Sequence, residues 1–207
     1  MDRENSSIDM KNRGTDRKTD KKERTAGGAV RKAGRLIWDF SRTAVLALVL
    51  AVAVTCFVKP VMVLGNSMSP TIRNHSYMLT STVPYLMGEP EAGDIVVFNS
   101  HVYTETGKEK NFVKRVVGVP GDRISIHDGF VFRNGERLEE DYLAGTFTDG
   151  QMEETAVTEG HVFVLGDNRL PGGSMDSRDP GIGQVAMEDI SGKVILRLYP
   201  FDEMGRI

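Results

Sequence analysis

Phe112-Val113-Lys114-Arg115-Val116-Val117-Gly118-Val119-Pro120-Gly121-Asp122-Arg123-Ile124-Ser125-Ile126-His127-Asp128-Gly129-Phe130-Val131-Phe132-Arg133-Asn134-Gly135 consists of short apolar runs cut by turn residues. Pro120-Gly121-Asp122 closes the first run. Asp128-Gly129 and Asn134-Gly135 are two-residue pairs suited to the positive φ angles of tight hairpins. This pattern predicts strands at 112–119, 123–127 and 130–133, joined as a meander. The same punctuation continues on both sides. Val61-Met62-Val63-Leu64, Tyr77-Met78-Leu79-Thr80, Ile95-Val96-Val97-Phe98, His161 to Leu165 and Lys193 to Tyr199 all read as strands. Val185 to Ile190 suggests a short helix, and the acidic 139–158 segment reads as an exposed, irregular excursion. The expected fold is mainly β from about residue 61 onward.

Upstream the pattern is different. Thr43 to Val58, TAVLALVLAVAVTCFV, runs sixteen residues without a charge. As a helix it rises about 24 Å, and flanking residues with snorkelling Arg42 and Lys59 extend it to bilayer thickness. Trp38 and Phe40 suit the headgroup level. Proline disfavours helix at the residue before it, so Lys59-Pro60 is expected to end the segment. A buried core helix is disfavoured because no face carries polar residues. A cleaved signal peptide lacks a clear small-x-small exit, and lipoprotein processing at Cys56 would follow the large Thr55. The favoured reading is an uncleaved anchor. The chain then divides into a basic, disordered cytoplasmic tail (1–35), a single transmembrane segment (36–59) and an extracytoplasmic β-rich domain (60–207).

Charge supports that division. Residues 1–35 hold 11 Lys+Arg against 6 Asp+Glu, while the remainder holds 15 against 23. A basic side before the span and an acidic body after it place the N-terminus in the cytoplasm. The acidic body argues against a nucleic-acid surface. Cys56 is the single cysteine, so no intrachain disulfide can form. His75, His101, His127 and His161 stand alone, and no Cys/His cluster has metal-ligand spacing. No metal or cofactor is expected.

Three stretches can carry chemistry. Leu64-Gly65-Asn66-Ser67-Met68-Ser69-Pro70-Thr71-Ile72 places a serine in a turn just past the apolar run. Ser67 is either an ordinary turn serine or a nucleophile, and a nucleophile needs a base to take its proton. Lys114 and Arg115 lie side by side in an apolar strand, where alternation sends them to opposite faces. They cannot both reach solvent, so one is covered. A covered lysine loses proton affinity and becomes a candidate general base, while an uncovered one simply snorkels at the strand edge. The third stretch, Gly166-Asp167-Asn168-Arg169 through Ser174-Met175-Asp176-Ser177-Arg178, is dense in hydrogen-bonding groups. It is either a solvated turn or a loop that orients an active-site lysine; its arginines argue against calcium.

Taken together these stretches resemble the bacterial type I signal peptidases, the Ser-Lys peptidases of family S26. The resemblance covers about residues 36–200. It rests on Gly65 to Thr71, Gly93-Asp94-Ile95-Val96-Val97-Phe98, Lys114 to Asp122, and the pair Gly166 to Arg169 with Ser174 to Arg178, all in order behind an anchor. It implies a membrane-anchored serine endopeptidase that removes signal peptides, with small residues before the cut, from secretory preproteins. Ser67 would be the nucleophile and Lys114 the general base. Ser174 would hydrogen-bond the Lys114 amine. Asp167, Arg115, Asp176 and Arg178 would form an ion-paired scaffold, and Met68, Ile72, Phe112 and Val113 the substrate-pocket walls. The sequence departs from the family pattern twice. Gly65 stands where some members carry an oxyanion-binding serine, leaving the Ser67 N–H as the implied donor. Leu170-Pro171-Gly172-Gly173 is two residues longer than the expected spacer. A soluble, self-cleaving repressor-type Ser-Lys peptidase and a non-enzymatic anchored β module are the alternatives.

Overall fold

The computed structural model describes Gly34, residues 38–52 and residues 55–207. Apart from Gly34, the expected tail 1–35 lies outside the described residues. An apolar helix, α1, spans Trp38–Phe57; its 20 residues are enough to cross a bilayer core. Its described side chains are exposed on every face, a pattern suited to lipid.

Thr55–Ile207 form one compact unit. Its strands are β1 (Val58–Met62), β2 (Tyr77–Ser81), β3 (Ile95–Tyr103), β4 (Glu109–Gly118), β5 (Arg123–His127), β6 (Phe130–Arg133), β7 (Glu136–Arg137), β8 (Met152–Ala156), β9 (His161–Leu165), β10 (Val185–Ala186) and β11 (Ile190–Tyr199). They make a seven-stranded sheet ordered β1-β2-β11-β3-β4-β9-β10 and a four-stranded sheet ordered β7-β6-β5-β8. The chain is mainly β, as expected.

The meander is built as its turns require. Asp128 and Gly129 take φ of 53° and 81°, and Asn134 and Gly135 take 56° and 80°. Positive φ at both positions matches the right-handed twist of the flanking strands. Elsewhere the structure corrects the sequence reading. β1 begins at Val58 and contains Lys59-Pro60, which were expected to lie before the strand. It pairs only with β2, at the sheet edge, where proline costs no ladder bond. The 139–158 excursion contains β8, which pairs with β5, and it buries Thr148. Val185 to Ile190 form β10 and a 3-10 turn at Met187–Asp189.

Two features position the site. β4 is central, paired with β3 on one edge and β9 on the other, so Lys114 sits opposite Val96 in mid-sheet. Beneath the turn that follows β1, Met68, Ile72, Met78, Val97, Val113 and Val194 form one buried cluster. Met68 and Ile72 are four residues apart, and the Ile72 N–H donates to the Met68 carbonyl at 2.8 Å. This turn, which contains the cis Ser69-Pro70 peptide, carries both side chains into the core and leaves Ser67 half-buried at its start.

Candidate active site

Ser67 is half-buried at the start of that turn. The preceding backbone is pinned. Val63 donates to the Ser76 carbonyl at 2.9 Å and Gly65 donates to Asn74 Oδ1 at 2.9 Å. Gly65 has φ of 108°, a conformation that a β-carbon disfavours. A serine at this position would therefore strain the turn.

Lys114 Nζ lies 2.8 Å from Ser67 Oγ and 3.2 Å from the Val113 carbonyl. The residue is 3% exposed, and its Nζ sits 5.1 Å from the centre of the Phe112 ring. Burial pushes the amine down to about 8, partly opposed by the Asp176 and Asp167 carboxylates and aided by the Arg178 guanidinium. When charged, Nζ donates to Ser67 Oγ; when neutral, the same separation lets it accept the serine proton.

Arg115, on the other face of β4, is covered as well. Its guanidinium grips Asp167 through Nε at 2.9 Å and Nη2 at 2.7 Å, and it lies 3.8 Å over the Tyr142 ring. Both members of the Lys114-Arg115 pair are thus largely covered, Arg115 keeping 12% of its side chain exposed, because a carboxylate and an aromatic face were available to it. Asp176 is fully buried and holds Arg178 by two 2.8 Å bonds, while accepting the Gly166 N–H at 3.0 Å. Burial pushes the Asp176 carboxyl up, but Arg178 and the Gly166 N–H outweigh that effect and hold it below the usual carboxylate range.

Two expected contacts are not formed. Ser174 makes no hydrogen bond to Lys114: Nζ is taken up by Ser67 and Val113, and the buried Ser174 Oγ lies on the Asp176 side, where it helps hold that carboxyl low without forming a well-aligned bond. Ser174 packs instead against Gly166, where it and the Ser67 carbonyl fill the space a β-carbon would need. Met68 and Ile72, expected as pocket walls, have no exposed surface. The core cluster beneath the turn claims them. Of the four wall positions only Phe112 and Val113 keep any accessible surface.

The structure adds residues that the sequence reading did not single out. Arg169 is buried and donates to both Glu140 oxygens, to Thr148 Oγ1 at 3.0 Å and to the Gly166 carbonyl at 2.7 Å. Tyr142 donates to Glu140 at 2.6 Å, and its own carbonyl accepts from Thr71 at 3.4 Å. The 140–149 segment therefore straps the 166–169 loop to the serine turn. A buried arginine demands a carboxylate, but nothing in local periodicity says which one. A serine, a desolvated amine at hydrogen-bond distance and a scaffold of paired charges make an arrangement suited to nucleophilic attack on a carbonyl.

Residues 37–199 match the family described as signal peptidase, peptidase S26. A signal peptidase I of Bacillus amyloliquefaciens is 31% identical over 196 residues, covering 90% of this chain and 97% of that one. A signal peptidase I T of Bacillus subtilis (strain 168) is 32% identical over 200 residues, covering 92% and 97%. The crystal structure of a signal peptidase I from Enterococcus faecalis V583 covers 51% of this chain and 97% of its own, at 30% identity and a TM-score of 0.42. With a family match spanning the helix and almost the whole β body, this chain belongs to the signal peptidase family, peptidase S26.

Proposed function

We propose that the protein is a membrane-anchored serine endopeptidase that removes signal peptides from secretory preproteins, with Ser67 as nucleophile and Lys114 as general base. The observation that carries this reading is the 2.8 Å approach of a buried lysine amine to Ser67 Oγ. Neutral Lys114 takes the Ser67 proton as Oγ adds to the scissile carbonyl carbon. The oxyanion collapses, the Lys114 ammonium returns its proton to the departing amine, and an ester to Ser67 remains. Lys114 then takes a proton from a water as its oxygen adds to the ester carbonyl; when this second oxyanion collapses, the bond to Ser67 Oγ breaks, the Lys114 ammonium gives its proton to Oγ, and the new carboxylic acid departs.

Residues 1–35 form the cytoplasmic tail, 36–59 the anchor in the bilayer and 60–207 the extracytoplasmic catalytic domain. The basic tail ahead of α1 and the acidic body behind it support that orientation. The exposed apolar surface of α1 supports anchoring, and family membership favours a signal peptidase over a repressor-type peptidase or a non-enzymatic module. The test is incubation of the detergent-solubilised protein with a preprotein, followed by N-terminal sequencing of the product. The expected result is one cut, directly after the signal peptide, that is absent with Ser67→Ala. Equal cleavage by Ser67→Ala contradicts the reading.

A further inference from the structure

The longer Leu170-Gly173 spacer and Asn168 meet in one small feature. Asn168 Nδ2 donates to the Asn66 carbonyl at 3.2 Å, and its backbone N–H donates to the Ser67 carbonyl at 3.0 Å. Its Oδ1 accepts the Leu170 N–H at 3.3 Å. With a donor required on one side and an acceptor on the other, the amide orientation is set by its partners. Gly173 is what gives the amide room: a β-carbon there would come within 2.5 Å of Asn168 Oδ1 and 2.9 Å of Nδ2. The spacer closes on itself through the Gly173 N–H and the Leu170 carbonyl at 2.8 Å. The extra spacer residues thus form a socket for the Asn168 side chain.

The bond to Asn66 has a consequence at Ser67. The Asn66–Ser67 peptide is not among the cis bonds, and in a planar trans peptide the carbonyl and the following N–H point in opposite directions. Holding the Asn66 oxygen on the Asn168 side aims the Ser67 N–H the other way. No hydrogen bond among the described residues uses the Ser67 N–H, so it is free to meet a ligand. The Ser69 N–H also donates to the Asn66 carbonyl, at 3.1 Å, and the two donors polarise this peptide toward a stronger N–H.

We infer that Asn168, seated against Gly173, is a positioning residue that orients the Ser67 N–H toward the oxyanion of the acyl-transfer intermediates. The inference rests on Ser67 being the nucleophile. Since Gly65 brings no hydroxyl to this chain's site, the orientation of this N–H carries more of the oxyanion's stabilisation.

Asn168→Asp is the informative variant. It keeps the shape and the acceptor for Leu170, but sets a carboxylate oxygen against the Asn66 carbonyl. With full-length enzyme and a signal-peptide substrate, kcat is expected to fall about 10²-fold, the usual cost of one oxyanion donor. KM is expected to stay within about twofold. The inhibition constant of an aldehyde-ended substrate peptide, which forms a tetrahedral adduct, should weaken in step with kcat. In the charge-neutral Asn168→Ala variant the acid limb of the pH profile should not move, whereas the carboxylate of Asn168→Asp adds a charge near Lys114 and shifts it upward, as Asp176 and Asp167 do. Wild-type kcat, a loss confined to KM, or a displaced acid limb in Asn168→Ala overturns the inference. Should Asn168→Asp fail to fold, Asn168→Ala is read by the same criteria. Wild-type cleavage by Ser67→Ala would instead remove the reading on which the inference stands, whatever Asn168→Asp does.

Discussion

Lys114→Met is expected to cut kcat by at least about 10³-fold while leaving the fold at least as stable as wild type. The first half follows from the base: without Nζ no group hydrogen-bonded to Ser67 Oγ can take its proton. The second follows from burial. The residue is 3% exposed, and the affinity of its amine for a proton is depressed mainly by desolvation. The sign is as follows. Because the folded-state value lies near 8, below the ordinary 10.5, the unfolded chain binds more protons between those values. Holding Lys114 charged at neutral pH therefore costs the folded state, and an apolar side chain of similar length removes that cost. Thermal unfolding and a preprotein cleavage assay on the same sample check both halves. A variant that loses activity together with its unfolding transition contradicts the account.

The largest effect on stability is expected at Glu140, outside the residues that touch substrate. Glu140→Ala leaves the Arg169 guanidinium, 2% exposed at its side chain, without a carboxylate. Orphaning one partner of a buried pair costs about 3–5 kcal/mol. For a domain of this size that lowers Tm by roughly 6–20 °C. The Arg123–Glu154 pair is the internal control. It is bonded at 2.8 Å, but its side chains are 63% and 49% exposed. Glu154→Ala is expected to shift stability by less than about 1 kcal/mol. Differential scanning calorimetry of the two variants decides the matter, and equal shifts would show that burial does not set the worth of the Glu140–Arg169 pair.

The contrast between those pairs also marks how far the sequence could be read. Strands β4 to β6 were legible because Pro120-Gly121, Asp128-Gly129 and Asn134-Gly135 declare their turns by residue type, and the turns adopt the backbone those residues favour. The extensions of β3 to Tyr103 and of β4 back to Glu109 were not legible. They are a polar hairpin end whose pairing comes from the register of the apolar half, not from alternation of their own. Lys59-Pro60 was read only as the end of the helix; that it also belongs to a strand becomes clear once that strand is known to be an edge. The 139–149 segment was opaque for a stronger reason. Glu140 and Tyr142 are held by Arg169 and Arg115, each 27 or more residues away in sequence, and no local window contains both partners.

Within the site, the proximity of Ser67 and Lys114 could be expected only by taking four co-linear stretches together; singly, each was an ordinary turn or strand. The part played by Ser174 could not be anticipated, because its neighbours are set by how closely Gly166 approaches the Ser67 carbonyl. Asn168 went unremarked for a related reason. Its role depends on Gly173, and a glycine that is needed for the space its missing β-carbon leaves has no signature in a single sequence.

The central claim is that a desolvated Lys114 is the base for Ser67. The most direct measurement is the pH dependence of kcat/KM for preprotein cleavage by the wild-type protein. Activity requires the neutral amine, so kcat/KM should rise about tenfold per pH unit at low pH and level off near pH 8, where burial places the Lys114 ionisation. A profile already flat from pH 6 upward would contradict the account, because a base that is still protonated there cannot take the serine proton.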